Sequence, residues 1–253
     1  VYAILYKKVQ KRTEEPMEEL RLDRILADGG AASRSEARRL IKAGRVSVNG
    51  RTAVNAEQKA NPCSDDIRLD GRKIEGKMVY IMLNKPADVI SATEDREQRT
   101  VLDLLPEELR RRGVFPVGRL DKDTTGLLLL TNDGDFAHVV ISPKRHVDKV
   151  YEVYVDGSLD NGDIAAFGDG IELRDGSRCL PALLSADEND PSHAVVTISE
   201  GKYHQVKRMF ASRGKPVSSL KRLCIGKLYL DEGLEPGQWR KLTSQEIKLI
   251  FGE

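Results

Sequence analysis

A chain of 253 residues with 40% hydrophobic and 32% charged side chains has the make-up of a globular protein, long enough for one large domain or for a small one plus a medium one. No run approaches the roughly eighteen apolar residues that a bilayer-crossing helix needs, so no membrane association is expected. Cys63, Cys179 and Cys224 lie far apart without C-x-x-C spacing, and the four histidines do not cluster. That argues against a disulfide frame or a metal centre and fits a reducing, cytoplasmic compartment.

The net charge of +1 conceals a segregation. Residues 20–51 carry eight Lys/Arg against three acids, residues 155–200 ten acids against two arginines, and residues 201–227 eight Lys/Arg and no acid. Charge runs are commonly just solvated faces. Two basic segments far apart in sequence, one inside an apolar pattern, also suit two surfaces that meet one polyanion.

Residues 1–19 show no cleavage-site pattern and read as an N-terminal extension, disordered or added ahead of Met17. Leu22, Ile25 and Leu26 then lie at helical spacing until Gly29-Gly30. Ser33-Arg34-Ser35-Glu36 is a capping box. The helix it opens turns Ala37, Leu40 and Ile41 inward and sets Arg34, Arg38 and Lys42 on its outer face. Arg45-Val46-Ser47-Val48 alternates as a strand, Asn49-Gly50 is a hairpin turn, and Arg51-Thr52-Ala53-Val54 returns. This helix–turn–helix–hairpin, with SRSEARRLIKAGRVSVNG across it, resembles the S4 RNA-binding domain over residues 20–75. The resemblance implies that Arg34, Arg38, Lys42 and Arg45 meet RNA phosphates, which position without reading sequence.

A polar joint of Glu75-Gly76-Lys77 predicts a boundary, with a second domain over residues 76–253. Residues 78–83 form an apolar strand that must stop at Pro86, which lacks a ladder donor. Residues 91–113 read as a polar loop with a short helix signal at 101–105. Arg119-Leu120-Asp121-Lys122-Asp123-Thr124-Thr125-Gly126 follows and runs into four leucines. Gly126 before the run and Asn132-Asp133-Gly134 after it favour a buried strand. Asp121 then sits on a loop at the edge of a rigid core, where a carboxylate can be held still yet reached. From spacing alone Asp121 and Asp123 read more readily as turn residues bonding their own backbone.

Beyond this, residues 135–141 predict a short helix and residues 150–155 a strand with Tyr151, Val153 and Val155 on one face. A buried Tyr151 needs a partner for its hydroxyl. Residues 160–167 predict a helix, 194–198 a strand, and Glu200-Gly201-Lys202-Tyr203-His204 a turn into a helix burying Val206, Met209 and Phe210. Lys207 and Arg208 stand at the start of that helix, where its dipole disfavours cations. A strand is expected between Gly226 and Leu230, and a last helix near 244–250.

GRLDKDTTGLLLLTNDG at 118–134, KVYEV at 149–153, EGKYHQVKRMF at 200–210 and LKRLCIG at 220–226, in this order behind the S4-like unit, resemble the RsuA-type family of ribosomal RNA pseudouridine synthases. The resemblance implies an α+β fold: a small S4-like α+β domain followed by a catalytic domain on a bent, mainly antiparallel sheet. It implies isomerisation of uridine to pseudouridine with no cofactor and no metal. Carried over, Asp121 is the catalytic aspartate, Tyr151 the tyrosine stacking on the target base, and Lys207 the base paired with the aspartate. Arg119 would help hold the displaced nucleotide, with Lys149, His204, Gln205 and Arg208 as further RNA-binding residues. Lysine at 207, where much of the superfamily has arginine, cannot make a bidentate fork. Within the family the small-subunit branch matches best, which implies uridine 516 of 16S rRNA, a small-subunit assembly particle as partner and a monomeric protein. A 23S site is the enzymatic alternative, and a non-catalytic RNA-binding assembly factor the alternative of another class.

Overall fold

A computed structural model describes residues 20–60, 65–74, 78–142 and 145–252. The expected N-terminal extension, Cys63 and the joint at residues 75–77 lie outside the described residues. The chain forms two compact units, one comprising the residues up to Val79 together with Pro106–Val114, the other Tyr80–Leu105 together with Phe115–Glu253.

In the first unit β1 (Leu20–Arg21) leads into α1 (Leu22–Asp28) and α2 (Arg34–Lys42). The amide arm of the expected capping box forms, with the Glu36 amide donating to Ser33 Oγ at 3.3 Å. Then come β2 (Val46–Val48), β3 (Arg51–Thr52), β4 (Lys59–Ala60), β5 (Ile67–Leu69) and β6 (Arg72–Lys73), with β3, β2, β5 and β6 in one sheet and β1 paired to β4. Asn49 and Gly50 both have positive φ, as a two-residue hairpin turn between β2 and β3 requires. Leu22, Leu26, Ile41 and Ile67 are fully buried at the centre of the core. The loop expected between 91 and 113 is instead divided. A 3₁₀ turn at Val101–Leu104 stays with the second unit, while α3 (Glu107–Arg111) belongs to the first. Gly30 lets the Arg112 stem approach, since a Cβ there would lie 3.3 Å from Arg112 Cγ.

The second unit is one nine-stranded sheet. Along the chain it is built from β7 (Tyr80–Lys85), β8 (Phe115–Pro116), β9 (Thr125–Thr131), α4 (Gly134–Ile141), β10 (Lys149–Val155), α5 (Asn161–Asp169), β11 (Leu183–Ala186) and β12 (His193–Ile198). It continues through α6 (Gln205–Ser212), β13 (Val217–Ile225), β14 (Leu228–Tyr229), β15 (Trp239–Lys241) and α7 (Ser244–Leu249). The strand order is β11-β12-β10-β13-β9-β7-β15, with β14 against β13 and β8 against β9. Every named pairing is antiparallel except β13 with β9. Leu127, Leu128, Leu129 and Leu130 are at most 1% exposed, so β9 is covered on both faces, which is why its apolar run does not alternate.

The strand expected between Gly226 and Leu230 is the short β14, and the sheet adds a longer one that was not expected: β13, ahead of Gly226, is a central strand between β10 and β9. The segment Val217-Ser218-Ser219 carries little hydrophobicity, and Lys221 and Arg222 mask the alternation that follows. Only its neighbours on both sides make it a strand.

Candidate active site

Asp121 sits in a tight turn just before β9, and three separate groups fix that turn. Ser91 Oγ donates to Leu120 O at 2.8 Å and accepts from the Leu120 amide at 3.0 Å. The Asp88 amide donates to Lys122 O at 3.0 Å. Lys85, at the end of β7 and fully buried, donates its ammonium to Pro86 O, Lys122 O and Thr124 O at 2.9, 3.1 and 2.8 Å. Burial pushes the Lys85 pKa down to about 8, against the pull of Asp123, Asp121 and Asp88. Sequence reasoning passed over Lys85. Its only signal was a lysine closing an apolar strand, where a cation needs oxygen partners.

Gly126 completes the mount. Its φ is +95°, and a Cβ there would lie 2.3 Å from Arg222 O. Only glycine allows β9 to run beside β13 at this point, where Gly126 pairs with Arg222 in the parallel register.

Across from the turn, α6 brings two groups to Asp121. His204 Nε2 lies 3.2 Å from Asp121 Oδ1, and Lys207 Nζ lies 3.7 Å from Asp121 Oδ2. Lys207 also donates to Asp123 Oδ1 at 2.5 Å. That hydrogen bond holds the Asp123 carboxyl below the usual carboxylate range. Asp123 is therefore more than a turn residue, because it competes with Asp121 for the same ammonium. His204 heads the helix in the left-handed region at φ 48°, a strained conformation for a non-glycine residue. It stacks on Tyr203 with centroids 3.8 Å apart.

These groups open into a cleft of about 800 Å³, counting its solvent-open mouth. Asp121, Arg119, Lys207 and His204 line it together with Lys149, Tyr151 and Arg222 from β10 and β13. Tyr151 is buried, as the alternation of β10 predicts, and its hydroxyl accepts from Arg222 Nη1 at 3.4 Å. A bulge between Val150 and Tyr151 sets Tyr151 opposite Arg222, placing both on one face of the sheet. Arg222 was missed as a site residue because β13 was not legible as a strand.

The expected site residues therefore divide. Asp121, Tyr151, Lys207, Arg119 and Lys149 share one cleft. His204 is there too, with its Nε2 against Asp121. The Gln205 side chain lines the cleft but is buried, with its amide spent inside the protein. Nε2 donates to Glu200 Oε1 at 2.8 Å and Oε1 accepts from the Lys202 amide at 2.8 Å. Gln205 thus braces the turn before α6 and is no free RNA contact. Arg208 pairs with Asp175 at 2.5 Å, and hydrogen bonds from Ser177, then from that arginine, hold Asp175 well below the ordinary range.

In the S4-like unit Arg34 and Lys42 are exposed. Arg38 donates to the buried Asp23 at 2.9 Å, and Arg45 forks onto Asp70 at 2.8 and 2.5 Å. These two arginines are partly committed within the protein, an arrangement outside the reach of helical spacing.

The chain's relatives agree with the geometry. The family description "RNA pseudouridylate synthase" matches residues 79–212, and that of the S4 domain matches residues 20–64. The chain belongs to the RNA pseudouridylate synthase family. It is 43% identical over 234 residues to an uncharacterized RNA pseudouridine synthase of Bacillus subtilis (strain 168), covering 91% of this chain and 98% of that one. It is 41% identical over 235 residues to the ribosomal small subunit pseudouridine synthase A of Yersinia pestis, again covering 91% and 98%. A crystal structure of a pseudouridylate synthase superposes with a TM-score of 0.65 at 37% identity, covering 91% of this chain and 99% of that one. As a pseudouridine synthase, the chain fits the α+β architecture expected from its motifs, with an S4 domain ahead of the synthase domain. Among the described residues no helix is long and apolar enough to cross a membrane.

Proposed function

We propose that this pseudouridine synthase isomerises a uridine of small-subunit ribosomal RNA, uridine 516 of 16S rRNA, with Asp121 as the catalytic carboxylate. The observation that carries the reading is the meeting of Asp121, Lys207 and Tyr151 in one cleft, from elements far apart in sequence. The names of several relatives near 40% identity, from Yersinia, Vibrio and Salmonella, point to the small subunit.

The target atoms of a stacked uridine are hidden, so the nucleotide flips out at a cost of a few kcal/mol. The Tyr151 ring offers a stacking face worth about 1–3 kcal/mol. Asp121 must stay ionised once the cleft closes, and the Lys207 ammonium offsets the desolvation that would favour its neutral form. Asp121 then acts either as a nucleophile at C1′ or as a base at C2′. In both routes the N1–C1′ bond breaks, the uracil turns, and C5 rejoins C1′. No cofactor or metal is required by this chemistry. With ribosomal RNA as substrate, the reading places a monomeric protein in the cytoplasm on a small-subunit assembly particle. The domains would divide as an S4 domain over 20–75 and a catalytic domain over 76–253, with the segment Pro106–Val114 of the latter joining the first compact unit. In the catalytic unit Arg119 and Lys149 would contact the RNA, and in the S4 unit Arg34, Arg38, Lys42 and Arg45 would do so.

Site-resolved pseudouridine mapping of 16S and 23S transcripts treated with the protein tests the reading. Pseudouridine at position 516 from the wild type, and none from Asp121→Asn with RNA affinity retained, is expected. Modification of 23S rRNA alone would move the target to the other subunit. Full activity of Asp121→Asn would remove the role of the carboxylate.

A further inference from the structure

Beside Tyr151 the cleft has a second charged wall to which the reading above gives no part in the reaction itself. Arg222 is 4% exposed and lines the cleft. Its Nε donates to Leu127 O at 2.7 Å and its Nη1 to the Tyr151 hydroxyl, but its Nη2 is buried without any partner. Lys149, two residues before Tyr151 on β10, lines the same cleft. Burial first, and then the charge of Arg222, push the Lys149 ammonium down to about 8. Of the carboxylates on the cleft, Asp121 is engaged by Lys207 and His204. Glu200 accepts from the Leu180 amide at 2.9 Å and from Gln205. Two cations thus share a desolvated corner in which Arg222 has no carboxylate partner and Lys149 feels the charge of Asp148, which does not line the cleft. An unmade hydrogen bond from a buried guanidinium is costly, so such a corner is built for an anion that arrives with the substrate or forms from it.

The proposed isomerisation forms one. When N1–C1′ breaks, its electron pair leaves on the uracil, and the negative charge spreads over N1, O2, C5 and O4. When the ring has turned, the same ring supplies the pair that bonds C5 to C1′. The C5 proton is then lost and N1 takes one up, so uridine and pseudouridine balance as isomers. We propose that Lys149 and Arg222 form a cationic seat for the detached uracil, bearing the charge it carries between the two bonds. The Tyr151 hydroxyl, accepting from Arg222 Nη1, keeps its own proton free to donate to a uracil oxygen at the same seat. Preorganised donors aimed at developing charge in a water-poor site are the strongest kind of electrostatic catalysis. The inference rests on the pseudouridine reading of the cleft and assigns it a leaving-group site.

The test compares single-turnover rates at saturating enzyme for two forms of the 16S fragment carrying position 516, one with uridine and one with 5-fluorouridine there. Fluorine makes the detached base a weaker base and a better leaving group, so it needs the seat less. The readout is loss of the original nucleoside, which records N1–C1′ cleavage even when C5 cannot release a proton. Lys149→Met and Arg222→Lys should slow the uridine substrate by about 100-fold and the fluorinated one by less than about a tenth of that. RNA affinity should stay within about threefold. Lys149→Met leaves the Arg222–Leu127 bond in place, so its result stands even where Arg222→Lys loosens the sheet. Equal slowing of both substrates, unchanged rates, or a loss of affinity alone (the mark of a phosphate contact) would each overturn the seat. A wild type inert on the uridine fragment would overturn the substrate reading beneath it.

Discussion

Lys207 holds Asp123 at 2.5 Å while remaining 3.7 Å from Asp121. One ammonium thus serves two carboxylates, one 73% exposed and the other 26%. The exposed partner can exchange its bond for water at little cost, whereas the sheltered one cannot. Lys207→Met should lower kcat by roughly 10–100-fold, the worth of a charge-assisted hydrogen bond of about 1.5–3 kcal/mol, and Lys207→Arg should recover part of it. Asp123→Asn should stay within about fivefold of wild type. Single-turnover rates for the three variants check this, and an Asp123→Asn protein as inactive as Asp121→Asn would reverse the roles of the two acids.

Gly126 is where the Asp121 turn and the sheet are joined. Gly126→Ala combines positive φ with a backbone collision and should cost at least about 2 kcal/mol in urea-measured stability. Gly134→Ala, in the first turn of α4 with open space around it, should be neutral or stabilising by up to about 1 kcal/mol. Similar midpoints for the two proteins would mean that β9 can move away from β13.

Lys85 anchors the turn from beneath. Lys85→Met would take a donor from three carbonyls, one of which (Lys122 O) keeps the Asp88 amide, and each hydrogen bond left unmade costs about 1–3 kcal/mol. The variant should lose at least about 3 kcal/mol, and hydrogen exchange should quicken at residues 120–124. Ser91→Ala, which removes only the clamp on Leu120, should cost about 1 kcal/mol. Unchanged exchange in Lys85→Met would show that the turn holds itself.

Glu246 supplies a pH dependence of stability. It accepts from Arg240 Nη1 and Nη2 at 3.0 and 2.6 Å and from the Thr243 amide, and the arginine bonds hold its pKa at about 2 against an ordinary 4.5. A depressed carboxylate contributes stability above its unfolded pKa and loses it as pH falls through the folded value. About 2–3 kcal/mol should therefore disappear between pH 4.5 and 2. Glu246→Gln should show a shallower fall over that window in denaturant titrations. An unaltered fall would place the acid sensitivity elsewhere.

Arg34 and Lys42 are the open cations of the S4-like face. Replacing both with alanine should weaken RNA binding and reduce the slope of log affinity against log salt by about 1–2. Arg45→Ala should do less, because Asp70 already competes for that guanidinium. Filter binding across a salt series measures both, and an unchanged slope for the double variant would take this face off the RNA.

Most secondary elements were legible because their signals are local. The leucine run of β9, the alternation of β10, the Asn49-Gly50 turn and the Ser33 cap each state their structure within a few residues. Illegible were elements whose identity depends on partners. β13 mixes serines and cations with its apolar residues, and α3 looks like a polar loop until Arg112 is seen beside Gly30. The site divided along the same line. Asp121, Tyr151 and Lys207 were named through motifs. Lys85 and Arg222 were not, because a lysine or arginine in sequence shows no sign of burial.

By itself the sequence determined that Asp121 stands on a turn feeding a buried strand, that Tyr151 faces inward, and that Lys207 opens an amphipathic helix. Periodicity and turn chemistry act over a few residues, and those facts need no more. Only the tertiary structure decided that Lys207 is shared between Asp121 and Asp123, that Lys85 lies under the turn, and that Arg222 and Lys149 meet beside Tyr151. Each of these depends on which strands are neighbours, and burial turns an ordinary surface cation into one that must find oxygen partners.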